Sequence, residues 1–147
     1  MRVTAYTDYS LRLLMHAAAR HPDLITIQDV ADGFGISKNH LMKVTHRLAL
    51  AGYIETQRGR TGGFRLAKRP EEINIGAIVR LGEGNAPLVE CFDRATNQCV
   101  ITPACKLKTV LWNAEKAFYA VLDRVTLRDL LVEPAEFLAL LKRRTPA

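Results

Sequence analysis

TIQDVADGFGISKNHLMKVTHRLALAGYIETQRGRTGGFRLAK, residues 26–68, decides the fold. Thr26 is an N-cap for the first helical run, with Asp29 three residues on as an acidic partner for its first turn. Gly33 and Gly35 end that run. Ser37 stands as a second N-cap, and Leu41, Val44, Leu48 and Ala51 recur at helical spacing until Gly52 closes the helix. A short helix, a glycine turn and a longer helix make a helix-turn-helix. YIETQ then alternates as a strand does, RGRTGG supplies a basic turn with three glycines, and FRLAK is the returning strand. A hairpin after the second helix is a wing.

Upstream, a first helix is expected over residues 7–20, with Leu11, Leu14, Met15, Ala18 and Ala19 on its apolar stripe and Pro22 beyond its end. Downstream, Pro70 marks a break and residues 75–81 read as a short helix. Gly82 and Gly84 open a loop that runs to Cys105. A long amphipathic helix follows, to about Arg124, with Leu107, Leu111, Ala114, Phe118, Val121 and Leu122 on its stripe and Val110 and Ala117 widening it. Thr126 caps a short TLRDLL helix, and Pro134 begins a last amphipathic segment. The expected fold is mainly α with a small β-hairpin wing: a winged helix-turn-helix plus a long dimerisation helix. The expected division is a DNA-binding domain over residues 1–81, a cysteine loop over 82–105, and the dimerisation helix with its tail over 106–147. The stripe of the long helix must be covered, either by the winged domain or by its copy in a second subunit. The homodimer is favoured, because two linked half-sites multiply affinity for operator DNA.

Charge agrees with a nucleic-acid partner. Lys38, Lys43, Arg47, Arg58, Arg60, Arg65, Lys68 and Arg69 share their stretch with one acid, Glu55. That stretch carries +7 while the whole chain carries +6, so the remainder is close to neutral. In a helix-turn-helix the second helix enters the major groove with its N-terminal residues on base edges. The candidates are Ser37, Lys38, Asn39 and His40, with Lys43 one turn on and Arg47 reaching the backbone. Asn bonds adenine bidentately, and Lys donates to guanine or phosphate. At the wing, Arg58 and Arg60 suit a minor groove or phosphate, and Gly62 and Gly63 let the backbone turn and approach closely.

The 147 residues contain no apolar run long enough to span a bilayer, and no membrane partner is expected. The first residues lack a secretory pattern, and the cysteine count is odd. A cytoplasmic protein with reduced thiols is therefore expected. No P-loop, dinucleotide fingerprint or nucleophile with evident partners is present, so an enzyme is the weakest class.

Cys91, Cys99 and Cys105 are the only cysteines, spaced C-x7-C-x5-C among turn-forming residues. Iron–sulfur clusters are held by thiolates, normally four, so three leave one iron for another ligand. Zinc also takes four ligands, but His16, His21, His40 and His46 all lie in the DNA-binding half, and no C-x2-C pair exists. Spacing alone puts a cluster ahead of zinc, and zinc ahead of metal-free redox thiols.

Together, MRVTAYTDYSLRLLM, the segment ISKNHLMKVTHRLALAGYIET, the wing RGRTGGFRLAK, the cysteine loop and AEKAFYAVLDRVTLRDLL resemble the iron–sulfur winged-helix regulators of bacteria. Within these, the match is to the nitric-oxide-sensing repressors. The resemblance implies a homodimer with a cluster on Cys91, Cys99 and Cys105, [4Fe–4S] for this subgroup and [2Fe–2S] as the alternative. It also implies a fourth ligand at Asp8, supplied by the other subunit, and nitric oxide as the signal that releases operator DNA. Lys106, Leu107 and Lys108 follow the third cysteine where the iron–sulfur-biogenesis regulators carry a histidine, which disfavours that subgroup. An iron- or redox-responsive regulator of the same family and a zinc-stabilised DNA-binding protein are the rivals.

Overall fold

In the computed structural model, which describes residues 3–84, 86–131 and 133–144, helix α1 (Ala5–Ala19) starts at Thr4. The Thr4 hydroxyl accepts a bond from the Thr7 amide and so satisfies one of the free N–H groups of the first turn. Helix α2 (Ile27–Phe34) opens with a full capping box: the Thr26 side chain accepts from the Asp29 amide at 3.1 Å, and the Asp29 carboxylate accepts from the Thr26 amide at 2.7 Å. Gly35, at φ 66°, is its left-handed C-cap. Gly33, expected at the helix end, lies inside α2 and faces Leu141 instead. Helix α3 (Lys38–Leu50) follows; Ser37 occupies its N-cap but makes no side-chain capping bond, contrary to the sequence pattern.

Strands β1 (Ile54–Gln57) and β2 (Gly63–Leu66) pair antiparallel, Ile54 opposite Leu66 and Thr56 opposite Phe64. Phe64 also exchanges two backbone bonds with Ile25 at 2.8 and 2.9 Å, so the wing is tied to the chain entering α2. Gly63 permits this: a Cβ there would lie 2.5 Å from the Ile25 carbonyl oxygen. Helix α4 (Ile75–Glu83) is capped by Asn74, whose amide nitrogen donates to the Asp123 carbonyl at 2.8 Å. The core is built from Leu13, Leu14, Val30, Leu41, Val44, Leu48, Phe64, Ile73 and Ile78 and their neighbours, drawn from α1 to α4 and the wing. Burying such side chains contributes roughly 1.5–3 kcal/mol each.

Helix α5 (Lys106–Leu122) has no buried residue. The single stripe read from sequence divides into two faces. Phe118, Tyr119 and Leu122 pack against the core, while Leu107, Val110, Ala114, Ala117 and Val121 are exposed. Arg80 of α4 grips the end of α5, with both guanidinium arms on the Asp123 carboxylate and the plane over the Tyr119 ring at 4.3 Å. The Arg80 guanidinium holds Asp123 below the usual carboxylate range.

Thr126 does not cap a helix as an acceptor. The Asp129 carboxylate accepts from its amide and its hydroxyl, and a 3-10 turn (Arg128–Leu130) follows. Helix α6 (Pro134–Arg144) returns to the first half of the molecule. Phe137 sits 6.2 Å from Phe34, and Leu141 covers Gly33. His16 lies in this seam, its ring edge-on to Phe34 at 6.2 Å, buried, with Nδ1 unpartnered among the described residues. Burial lowers its pKa; the Asp29 carboxylate opposes the shift and Arg20 adds to it. Among the described residues no helix is long and apolar enough to cross a membrane.

Candidate nucleic-acid interface and metal centre

Leu41, Val44 and Leu48 turn one face of α3 into the core, so the residues between them point outward. Ser37, Lys38, Asn39, His40, Met42, Lys43, His46 and Arg47 are all exposed. They do not form one uniform face. His40 stacks on Tyr9 of α1 at 6.0 Å and 29°, and Arg47 lies over the Tyr6 ring at 4.9 Å. Those two cationic or ring-bearing groups are therefore held on the α1 side. On the opposite side, Lys38, Met42 and Thr45 line a cavity of about 480 Å³ shared with Gln57 and Gly62 of the wing. Asn39, Lys43 and His46 lie between the two flanks at helical spacing.

At the wing tip, Arg58 and Arg60 are exposed around Gly59, which sits at φ 114°. Glu55 is taken up by Arg65 across the hairpin, and Glu72 by Arg69. Neither acid pairs with Arg58 or Arg60, so the tip keeps its positive charge. Gly62 and Gly63 serve the hairpin itself. A Cβ at Gly62 would lie 2.5 Å from the Gln57 carbonyl oxygen, as one at Gly63 would from that of Ile25. The result is a basic surface made of a helix and a hairpin tip, suited in charge and shape to duplex DNA.

The three cysteines lie off the core. Cys91 sits in a 3-10 turn (Glu90–Phe92), Cys99 precedes an exposed Val100 and Ile101, and Cys105 is the N-cap of α5. All three are free and half-buried. The loop is held by its own bonds rather than by burial. The Asp93 carboxylate accepts from the Ala95 amide and the Thr96 hydroxyl, Asn97 accepts from the Cys99 amide, and the Thr102 hydroxyl donates to the Cys99 carbonyl at 2.7 Å. Those bonds hold the Asp93 carboxyl below its ordinary value. Cys105 makes no capping bond, and Lys106 and Lys108 follow it, so the positive end of α5 favours an anionic group there.

Among the described residues, no group of three or more His, Cys, Asp or Glu side chains is arranged to hold a metal ion. One loop carries the thiols without bringing them to a common centre. Free thiols, one of them (Cys105) at a helix N-terminus, fit an iron–sulfur group in donor type, while their arrangement is not that of a closed site. Asp8 does not join them within one chain. Its two oxygens receive Arg12 Nε at 3.0 Å and Nη2 at 2.9 Å, and the pair is half-exposed.

Helix α1 connects these regions. Tyr6 and Tyr9 touch α3, and Asp8 lies between them in sequence. The Glu83 carboxylate, at the end of α4 where the cysteine loop departs, accepts from the Thr4 amide at 3.0 Å and from the Thr4 and Thr7 hydroxyls. Burial alone would raise the Glu83 pKa; the threonine bonds outweigh it and hold the carboxyl below its usual value. Gly82 allows the close approach, since a Cβ there would collide with Thr7 Oγ1. Tyr6, Tyr9, Arg12 and Glu83 escaped the sequence reading. Tyr6 and Tyr9 were visible as aromatic residues three apart, but nothing in the sequence names their partner helix.

The family model Rrf2, described as an iron-dependent transcriptional regulator, matches residues 3–133. The HTH-type transcriptional regulator NsrR of Bacillus subtilis is 52% identical over 145 residues, spanning 98% of this chain and 99% of that protein. The one from Halalkalibacterium halodurans is 53% identical over 143 residues, spanning 97% and 98%. Among solved structures, the oxidized form of Staphylococcus aureus CymR superposes with a TM-score of 0.72 at 28% identity, over 90% of this chain and 98% of that one. T. potens IscR superposes with a TM-score of 0.69 at 27% identity, over 92% and 91%.

Proposed function

This chain belongs to the Rrf2 family of iron-dependent transcriptional regulators, and on that premise we propose that it is a cytoplasmic, homodimeric repressor whose hold on operator DNA depends on an iron–sulfur cluster and is released by nitric oxide. It is a transcriptional regulator and not an enzyme. Cys91, Cys99 and Cys105 would hold the cluster, of the [4Fe–4S] type. Asp8 of the second subunit would supply the fourth ligand. Held in this way, the cluster would supply an iron whose carboxylate ligand is harder and more weakly held than thiolate, and so open to a small ligand.

What the chain's own residues do follows from α1. To reach a cluster, Asp8 must leave Arg12, whose guanidinium otherwise occupies both its oxygens. Drawing Asp8 toward a neighbouring subunit would shift the first turns of α1, which carry Tyr6 and Tyr9, and these rings support Arg47 and His40 of α3. This common mounting on α1 is the observation that carries the reading. It gives two arrangements of one element, biased by the cluster at one end and by DNA at the other. Without that ligand role the Asp8 carboxylate would stay on Arg12, and α1 would no longer hold α3 at its DNA-competent angle.

The dimer reading is supported by α5. Leu107, Val110, Ala114, Ala117 and Val121 follow alternating steps of three and four and form an uncovered apolar seam. DNA would be met by Ser37, Lys38, Asn39, His40, Lys43 and Arg47 with Arg58 and Arg60 at the wing, Gly62 and Gly63 shaping the hairpin.

Anaerobic protein titrated with nitric oxide, followed by visible absorption and operator binding together, tests this. The expected result is loss of DNA binding in step with loss of the cluster bands, with Asp8→Ala altering the cluster spectrum and its nitric-oxide kinetics. Release of DNA on iron depletion, at nitric-oxide doses that leave binding intact, would reassign the signal to iron. Colourless, iron-free protein that binds fully would overturn the cluster.

A further inference from the structure

Met42 is 57% exposed in the second turn of α3, on the wing side of Asn39 and Lys43 and within the surface that faces DNA in this fold. It is the one large apolar side chain there, among residues that are otherwise polar or charged. Its neighbours Leu41 and Val44 supply the core face of the helix, so Met42 is not needed for packing. Exposure alone would decide nothing, since single apolar residues are common on surfaces. Leu50, on the same helix, is exposed to 75%. The two differ in position. Leu50 ends α3, whereas the N-terminal half of the second helix is the part that approaches base edges.

A thioether side chain cannot donate a hydrogen bond, and its sulfur is a weak acceptor. Its chief offering to a base pair is apolar contact. In the major groove the thymine C5-methyl is the apolar group on display. Lys38 and Thr45 flank Met42 on the wing side and Asn39 and Lys43 on the other. A flexible, polarisable chain set among polar neighbours can follow a methyl without displacing their hydrogen bonds.

We propose that Met42 is a specificity-determining residue that reads a thymine methyl in each operator half-site. This rests on α3 being the helix that enters the major groove. It adds to the basic and amide contacts a test for one base that those contacts do not make.

The experiment replaces thymine by deoxyuridine, which pairs identically and lacks only the methyl. A duplex selected from random DNA by the anaerobic holo-protein is scanned, one thymine at a time, with the wild-type protein, Met42→Ala and Leu50→Ala. One uracil position within a half-site is expected to weaken the wild-type protein roughly fourfold, the value of one buried methyl group. Met42→Ala is expected to bind the thymine and uracil duplexes equally, and Leu50→Ala to behave as wild type. A wild-type protein indifferent to every uracil replacement overturns the proposal. So does a Met42→Ala variant that keeps the full methyl preference. Failure of the wild-type holo-protein to select any sequence would overturn the regulator reading and this inference with it, and is distinguishable because no duplex would be bound at all.

Discussion

Two stretches of this chain, each built around helices of ordinary composition, reach opposite ends. From Leu13 to Val79 the helices and the wing bury side chains in a common core. From Arg80 to Thr126, no described residue is buried, although that stretch contains the longest helix. The first region is complete as a single chain. The second has regular backbone, internal loop bonds and an apolar seam, but it has nothing to enclose. Regular secondary structure is thus no guide to whether a segment has found its core. The difference marks the region left open within a single chain, and it is the region that carries all three cysteines.

The largest effect expected is on the finished side. Phe64→Ala empties a site at the junction of wing and helices and should destabilise the winged unit by about 3–5 kcal/mol, read as a shift in its urea midpoint. The comparison breaks if the shift is small, because the wing would then be peripheral to the core. Val110→Glu places a charge on a side chain that is 61% exposed in one chain. It should leave the unfolding of the winged unit unchanged, yet abolish self-association in sedimentation and lower operator affinity on the order of 10²-fold or more by removing the second half-site. A dimer that persists would mean the seam is not where copies meet. Arg60→Ala should weaken operator binding several-fold and reduce the salt slope by about 1, since a phosphate contact is lost without a change in fold.

The smallest effect concerns His16. Its pKa is lowered in the folded chain, chiefly by burial, so the unfolded chain takes up the proton more readily. Stability is then complete above the ordinary histidine value of about 6.5 and falls as pH drops below it. Denaturation midpoints of apo-protein between pH 7.5 and 5.5 should reveal that decline, and His16→Leu should flatten it.

The finished region was also the legible one. The Thr26–Asp29 capping box, the left-handed Gly35 and the hairpin between Ile54 and Leu66 are local devices, each written in a few consecutive residues, and the structure contains all three. Ser37 and Thr126 carried the same kind of signal and behave otherwise. A capping residue type permits a bond without compelling it, and at Thr126 the Asp129 carboxylate takes the acceptor role. The α5 stripe was read as one surface because hydrophobic spacing reports which residues avoid water, not which neighbour covers them. What separates Phe118 and Leu122 from Val110 and Val121 is the fold, which sets the first pair against the core and leaves the second exposed. Seating of α6 on α1 and α2 was likewise out of reach, since it joins residues more than a hundred positions apart. Asp8 illustrates the same limit for the candidate site. The structure pairs it with Arg12, a contact the sequence reading did not name, while any ligand role depends on a second molecule.

The threonine bonds to Glu83 have a mechanical consequence. They fasten the chain's entry into the winged unit to its exit, so the cysteine loop is hinged beside the first turn of α1. Tension in the loop is therefore delivered to that helix before it can spread through the rest of the body, as a pull on a bell-rope reaches the clapper first.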